Sequence, residues 1–149
     1  LFVAVGIGHH DHANQVLRAL EPQLPDMFQS HITELITPKV GDSSTVEVFS
    51  RARVGDQLTA HAIFEGVTSI ADRVDVSGEQ CDTDFMPLAN HPFQIVGRNR
   101  LGEPSIAVRE TETRRWVLDA GMTRYYSILL PTETDGYRHL QNTIKWLAK

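Results

Sequence analysis

The sequence predicts one mixed α/β domain, residues 1–149, in which helices flank a central mixed sheet. Of its 149 residues, 41% are apolar and 22% are charged, which suits one hydrophobic core and gives little reason to divide the chain. Apolar residues recur at helical spacing near both ends of the chain, and alternating segments that are typical of strands lie between them. These observations together indicate a layered α/β fold.

The first predicted element is a helix over residues 2–20. Most of its apolar residues fall on one side of a helix, and Glu21-Pro22 ends it. Gly6 and Gly8 interrupt the pattern, because each lowers helix propensity by about 1 kcal/mol relative to alanine. Glycines at these positions would allow another backbone or a ligand to approach closely.

The middle of the chain predicts strands around an irregular segment. Residues 32–37 alternate, are rich in β-branched side chains and end at Pro38, which is typical of a strand that runs into a loop. Residues 45–66 are mixed: residues 46–49 fit a strand, and residues 58–64 fit either a short helix or another strand. Residues 70–76 predict one arm of a hairpin, with residues 85–88 as its candidate second arm.

The last third of the sequence has the clearest pattern. Residues 92–96 and 105–108 alternate on either side of a turn-rich segment and predict a hairpin of the central sheet. Thr111 or Thr113 is then expected to cap a helix over residues 116–126, and residues 132–135 to open a last helix.

Composition limits the function classes. A formal net charge of −5 has the wrong sign for coating a DNA or RNA duplex, but it is compatible with a small anion held by a few arginines. Residues 1–8 form an apolar opening that is much shorter than the ~20 residues needed to span a bilayer. Cys81 is alone, which excludes an intramolecular disulfide and favours the cytoplasm. Because the chain begins without Met, at an apolar Leu-Phe-Val, we expect a domain excised from a longer protein.

The run of His9, His10, Asp11 and His12 is the first candidate for chemistry. On a helix, His9 and His12 lie one turn apart and can supply two nitrogens to Zn²⁺, but no HExxH, CxxC or downstream Cys/His pair supplies further ligands. Imidazole rings can also stack on a nucleobase. One functional alternative is therefore a small metal-dependent hydrolase or lyase that uses His9, His10 and His12.

Other catalytic signatures are weak. Nothing around Cys81 in the sequence would activate a thiol, and no GxSxG elbow supports a serine nucleophile. Gly6-x-Gly8 lacks the third glycine of a dinucleotide-cofactor site. We therefore expect a domain that is not an enzyme and holds no cofactor and no metal.

Residues 109–115 (RETETRR) are singled out by their position at the end of a predicted core strand. Hydroxyls and arginines at such a junction can bind phosphate oxygens, and a carboxylate can accept two hydrogen bonds from a guanine edge. The alternative interpretation is a solvated helix start with a good cap and charge pairs.

The order of these segments resembles the cyclic-dinucleotide-binding domain of the STING family, particularly its prokaryotic branch. Residues 3–6 (VAVG) resemble the start of the family's long first helix, and residues 35–39 (LITPK) resemble its first core strand. Residues 92–96 (PFQIV) and 106–113 (IAVRETET) resemble paired strands that end in an acidic residue followed three positions later by threonine. Two terminal helices complete a resemblance that covers nearly the whole chain.

The resemblance implies a STING-like homodimer whose long first helices form the interface and which binds one cyclic dinucleotide, with cyclic di-GMP favoured, across its two-fold axis. Glu110 would contact the base, and Thr113 a phosphate or the base. The family usually has Tyr or Phe stacking on the base from the first helix. Here His9, His10 or His12 would take that place.

An arginine of the family's lid usually reaches the phosphates, and Arg73 is the candidate for it, with Arg53, Arg98 and Arg109 as substitutes. The family further implies a fused or associated effector, either an NAD-cleaving TIR domain or a membrane segment, which ligand binding switches on in antiphage defence. The resemblance thus predicts a cytoplasmic sensor domain whose full-length protein is free or tethered to a membrane.

Overall fold

The computed structural model describes residues 1–5, 10–29, 46–50, 58–74, 86, 91–98, 102–121, 125 and 135–149. Within these segments the chain forms six strands, two α-helices and a short 3-10 helix. In chain order they are β1 (Phe2–Ala4), α1 (His10–Leu20), β2 (Val46–Ser50), the 3-10 helix (Ala62–Phe64), β3 (Ser69–Val74), β4 (Gln94–Arg98), β5 (Pro104–Glu110), β6 (Arg115–Asp119) and α2 (Gly136–Leu147).

The main sheet has four strands in the order β1-β6-β5-β4. β1 runs parallel to β6, with Phe2 opposite Val117, whereas β6 with β5 and β5 with β4 are antiparallel. β2 and β3 form a separate antiparallel pair. The prediction of an α/β fold with a mixed sheet is therefore confirmed.

The two faces of the main sheet carry separate hydrophobic clusters, because successive side chains of a strand point to opposite faces. On one face, Trp116 and Leu118 of β6 belong to the same cluster as Leu17 of α1. On the other face, Val117 of β6 clusters with Trp146 of α2 and with the 3-10 helix. The sheet is thus the middle layer, with α1 on one side and α2 on the other.

The helix predicted over residues 2–20 is wrong for its opening residues. Val117 N donates to Leu1 O (2.8 Å) and Val5 N donates to Asp119 O (2.9 Å), so this segment pairs with β6 as a strand. The apolar side chains of this segment pack on both faces of the sheet. Such a run of apolar residues also fits one side of a helix, which is why the sequence predicted a helix here. α1 begins at His10 and has 11 residues, a length of about 16 Å, which is short for the long helix of the STING resemblance.

The helix predicted after Thr111 is also wrong, because Arg115–Asp119 form β6. Thr111 does act as a cap, but of a hairpin turn: its backbone N donates to Arg114 O (2.8 Å), and its Oγ1 accepts from Arg114 N (3.0 Å). The three residues 116–118 are consecutive and apolar because β6 is buried on both faces, a pattern that short helices share.

The other predictions have mixed outcomes. The β4–β5 hairpin and the last helix are confirmed. Residues 45–66, left open by the sequence, contain both the β2 strand and the short helix at Ala62–Phe64. β3 pairs with β2, and its predicted pairing with residues 85–88, of which Met86 alone is described, lies outside the described residues. Residues 32–37 and Cys81 lie outside the described residues. No helix in the described segments is long and apolar enough to cross a membrane.

A buried polar network joins β6 to α2 at the carboxyl end of β6. Asp119 accepts hydrogen bonds from Gly121 N (2.8 Å) and from the Tyr125 hydroxyl (2.5 Å). That hydroxyl lies 3.2 Å from Nε2 of His139, whose ring stacks on Phe64. Buried polar groups that satisfy one another in this way fix the position of a helix on a sheet. The network therefore fixes the orientation in which α2 runs along the sheet, from the carboxyl end of β6 to its amino end.

Candidate functional site

Two of the cavities near the turn that connects β5 to β6 share Glu110 in their lining. The first, which we name the turn cavity, has a volume of about 330 Å³ and is lined by residues 110–115 together with Leu147 and Lys149. The second, which we name the cleft, has a volume of about 270 Å³, and its lining includes His61, Gln94, Glu110 and Trp146. Glu110 lines both, so the two cavities meet at its side chain.

The turn cavity combines basic and hydroxyl side chains. Arg114, Arg115 and Lys149 contribute three positive charges, while Glu110 and Glu112 contribute two negative ones. Arg114 is exposed, and no ion pair to it is found among the residues that the structure describes. Its guanidinium is therefore available to an anion, because its charge is not already neutralised by a neighbouring carboxylate.

Glu110 is held in place by Arg115. Nε of Arg115 donates to Oε1 of Glu110 (2.6 Å), and the Arg115 Nη2 donates to the same oxygen. Arg115 is itself fixed on α2, because Nη1 donates to Trp146 O (3.1 Å) and the guanidinium lies 5.5 Å from the Trp146 ring centroid. In the described part of the chain, Oε2 of Glu110 accepts no hydrogen bond. The carboxylate is thus oriented by one oxygen and free to accept through the other.

His61 has a defined protonation state at the wall of the cleft. Its Nδ1 accepts from Ile63 N (3.4 Å), and its ring meets the Trp146 ring edge-on at 5.2 Å. Burial lowers the pKa of His61, and the nearby Glu110 carboxylate raises it by a smaller amount. The imidazole is therefore neutral at pH 7. Because Nδ1 acts as an acceptor, Nε2 carries the proton and is a donor.

Arg109, a predicted phosphate ligand, is engaged elsewhere. It precedes Glu110 in β5 and therefore points to the opposite face of the sheet. Its Nη1 donates to both carboxylate oxygens of Glu21, at 2.7 and 2.8 Å, and its guanidinium lies 5.8 Å from the Phe93 ring centroid. This guanidinium joins β5 to the segment that follows α1.

His10 and His12 lie at the end of α1 that is farther from Glu110 and Thr113. Leu20, the last residue of α1, lines a cavity with Thr113 and Arg114, so the helix ends beside the turn and begins one helix length away from it. His10 and His12 are in its first turn, about 16 Å along the axis. The structure therefore brings Glu110 and Thr113 together and leaves His10 and His12 apart from them.

Two further predicted residues have limited descriptions. His9 lies outside the described residues. Arg73 is in β3, in register with Glu47 of β2, and what is described of it is its backbone. Among the described residues there is no group of three or more His, Cys, Asp or Glu side chains that could hold a metal ion.

Sequence reasoning missed the residues that complete the two cavities. Arg114 and Arg115 lie in the singled-out segment 109–115, but the sequence predicted the start of a helix there. A helix would point their side chains in other directions than the hairpin turn does. His61, Gln94 and Trp146 come from three separate elements, and no local signal links them. Comparison of the chain with protein-family models, with curated proteins and with solved structures finds no match.

Proposed function

We propose that this chain is a non-enzymatic sensor that binds one cyclic dinucleotide across a homodimer and thereby activates a fused or associated effector in antiphage defence. One observation carries the proposal: Glu110 and Thr113, two of the residues expected to contact the ligand, line a single cavity together with three basic side chains. The resemblance assigned Arg73, or a substitute such as Arg109, to the phosphates, whereas the basic residues of this cavity are Arg114, Arg115 and Lys149.

The charges of the turn cavity suit a phosphodiester. Glu110 and Arg115 neutralise each other, which leaves Arg114 and Lys149 against Glu112. A guanidinium that binds a phosphate oxygen makes a charge-assisted hydrogen bond, and a nearby hydroxyl such as that of Thr113 adds a neutral one. A chain with a net charge of −5 can therefore still attract a dianion at this one place.

The size of the cavity supports a ligand shared between two copies. About 330 Å³ is at the lower end of the roughly 300–1,000 Å³ found for small-molecule sites, which leaves room for part of a dinucleotide. A two-fold axis would present the same residues to each half of a symmetric ligand. Leu1 and Leu20, each 46% exposed, line a neighbouring cavity with Thr113, and this apolar surface is suited to contact a second copy.

Signalling would follow from the dimer geometry rather than from chemistry. A ligand that contacts both copies binds the closed arrangement better than the open one, so it increases the population of the closed dimer. The effector, a TIR domain or a membrane segment, would respond to that change. Cyclic di-GMP is the favoured ligand, because a carboxylate can accept from two donors of a guanine edge.

Two measurements on the full chain with cyclic di-GMP, cyclic GMP-AMP and cyclic di-AMP test the proposal: calorimetric titration gives the stoichiometry, and thermal unfolding gives Tm. We expect one ligand per two chains. A ligand at 100 times its Kd stabilises the folded state by about 2.7 kcal/mol, so we expect Tm to rise by roughly 5–10 °C. The absence of stabilisation by all three ligands far above micromolar concentration would contradict the proposal.

A matched pair of arginine variants locates the binding site. Arg114→Ala removes the unpaired guanidinium of the turn cavity, and we expect affinity to fall at least tenfold because a charge-assisted contact is lost. Arg98→Ala removes the same charge at the far end of the β4–β5 hairpin, where Arg98 donates to Gly102 O (2.9 Å), and affinity should be unchanged. Equal effects of the two variants would mean that general charge, rather than this cavity, attracts the ligand.

A further inference from the structure

The cleft is a second recognition surface that adjoins the turn cavity at Glu110. Gln94 of β4 is the cross-strand partner of Val108 in β5, and Glu110 follows two residues later on the same face of the sheet. Trp146 of α2 packs in the same cluster as Val108. His61 approaches from the segment before the 3-10 helix, so four elements converge on one small cavity.

Three polar groups of the cleft have hydrogen-bonding capacity left over. The Gln94 side chain is exposed, and within the described segments its amide makes no hydrogen bond. Oε2 of Glu110 is likewise without a donor there, and Nε2 of His61 carries a proton that no described acceptor receives. The cleft therefore offers a carboxylate acceptor, an imidazole donor and an amide that is both.

The remaining lining of the cleft comprises the apolar Pro92, Val108 and Trp146 and the charged Arg109 of β5. Trp146 is 6% exposed and Val108 is 3% exposed, so both form a floor that is already packed. Pro92 lies at the exposed rim. A volume of about 270 Å³, just below the roughly 300–1,000 Å³ of sites that enclose a whole drug-sized ligand, has room for one flat heterocycle above this floor, with the polar groups around its edge.

We propose that the cleft is a base subsite in which His61 and Gln94, with Glu110, select guanine over adenine. The assignment rests on the proposed function for the position of the phosphates, which occupy the adjoining turn cavity. Neither His61 nor Gln94 belongs to the residues that the sequence resemblance implies.

The selectivity follows from the pattern of donors and acceptors. Guanine presents two adjacent donors, N1–H and N2–H, to a carboxylate, and two acceptors, O6 and N7, to donors such as Nε2–H of His61 or the Gln94 amide. Adenine presents the lone pair of N1 where guanine has a donor, so Glu110 would face an acceptor. The Glu110 side chain is exposed in the structure, but a bound base would cover it, and a covered acceptor that meets another acceptor loses binding free energy.

Two conservative variants separate recognition from folding. Gln94→Leu keeps the approximate size of an exposed side chain and removes its amide. His61→Asn keeps a side-chain oxygen that can accept from Ile63 N and removes the Nε2–H donor. Gln141→Leu, on an exposed position of α2 outside both cavities, is the matched control for the glutamine change.

The experiment measures the ratio of the affinities for cyclic di-GMP and cyclic di-AMP, together with the binding of guanosine, which has no phosphate. We expect the unmodified chain to prefer the guanine ligand at least tenfold and both cleft variants to reduce that preference to about threefold or less, with Gln141→Leu unchanged. Arg114→Ala should weaken both dinucleotides by the same factor.

The outcomes distinguish this inference from the proposed function. Dinucleotide binding without a guanine preference, or with a preference that both cleft variants retain, overturns the base subsite and leaves the sensor proposal standing. If no dinucleotide binds but guanosine binds to the unmodified chain and not to Gln94→Leu, the cleft assignment stands and the sensor proposal falls. If neither dinucleotides nor guanosine bind, both are overturned.

Discussion

The ion pair between Arg109 and Glu21 predicts a large loss of stability without a loss of ligand binding. Arg109 is in β5, and Glu21 follows the last residue of α1, so the pair joins the helix to the sheet. In Arg109→Ala both hydrogen bonds to the carboxylate are lost, and the guanidinium no longer covers the Phe93 ring. Glu21 is then left partly buried without its cation.

The exposure of the two side chains sets the expected magnitude. They are 20% and 18% exposed, which lies between the fully exposed pairs worth about 0.2–1 kcal/mol and the buried pairs whose disruption costs about 3–5 kcal/mol. We therefore expect Arg109→Ala to lower the free energy of unfolding by about 2 kcal/mol, which corresponds to a fall in Tm of roughly 4–8 °C. A double-mutant cycle with Glu21→Ala should give a coupling of about 1–2 kcal/mol.

Urea unfolding followed by tryptophan fluorescence measures these differences, because Trp116 lies 6.2 Å from Phe93, directly under the pair. A coupling below about 0.5 kcal/mol would refute the reasoning, since it would mean that water screens the pair as on an open surface. Loss of cyclic-dinucleotide affinity equal to that of Arg114→Ala would refute it in a different way, by placing Arg109 on the ligand.

Two further predictions concern polar side chains that join distant segments. Asp135 accepts hydrogen bonds from Thr68 N (2.7 Å) and from the Thr68 hydroxyl (2.6 Å), and chiefly the hydroxyl bond holds the pKa of Asp135 below its usual value. The stabilisation is therefore complete at a pH above the usual pKa. It is lost as the pH falls through the lowered pKa of the folded state. Urea unfolding should therefore show the chain to be about 1 kcal/mol more stable than Asp135→Asn near neutral pH, and this gap should narrow as the pH falls below the usual pKa of an aspartate, about 3.9. A gap independent of pH would contradict the assignment. Asn14 is 2% exposed, donates to Phe28 O (2.9 Å) and accepts from Phe28 N (3.0 Å), so Asn14→Asp sets a buried carboxylate against a carbonyl. We expect it to lower the free energy of unfolding by about 3 kcal/mol in the same assay, and a loss below about 1 kcal/mol would show that the site admits water.

The parts of the fold that could be predicted have local signals. The β4–β5 hairpin shows alternation on both sides of a turn, and α2 shows a helical period after a polar opening. β1 and β6 carry no such signal. β6 lies inside the sheet and β1 beside it at the end of the described strand order, and both place apolar side chains on both faces, so their short apolar runs fit a helix equally well. Their pairing depends on residues more than a hundred positions apart, which a local pattern does not encode.

The candidate site was partly predictable for a different reason. Hydroxyl and charged side chains cluster in residues 109–115 whether the segment opens a helix or turns a hairpin, so the segment could be singled out although the helix expected to follow it was wrong. The resemblance then named Glu110, at the end of β5 as expected, and Thr113 within the same segment. The cleft could not be found in this way. Its residues are brought together by the register of β4 against β5 and by the packing of α2, both of which are tertiary features.

The alternation of β5 explains why neighbouring residues have separate roles. Arg109 and Glu110 adjoin in the sequence, and a helix would place both on its surface, about 100° apart. In a strand they point to opposite faces, so Arg109 joins β5 to the segment after α1 while Glu110 faces Arg115, His61 and the two cavities. Substitutions at these two positions should consequently affect different properties: Arg109 the free energy of unfolding, and Glu110 the recognition of a base.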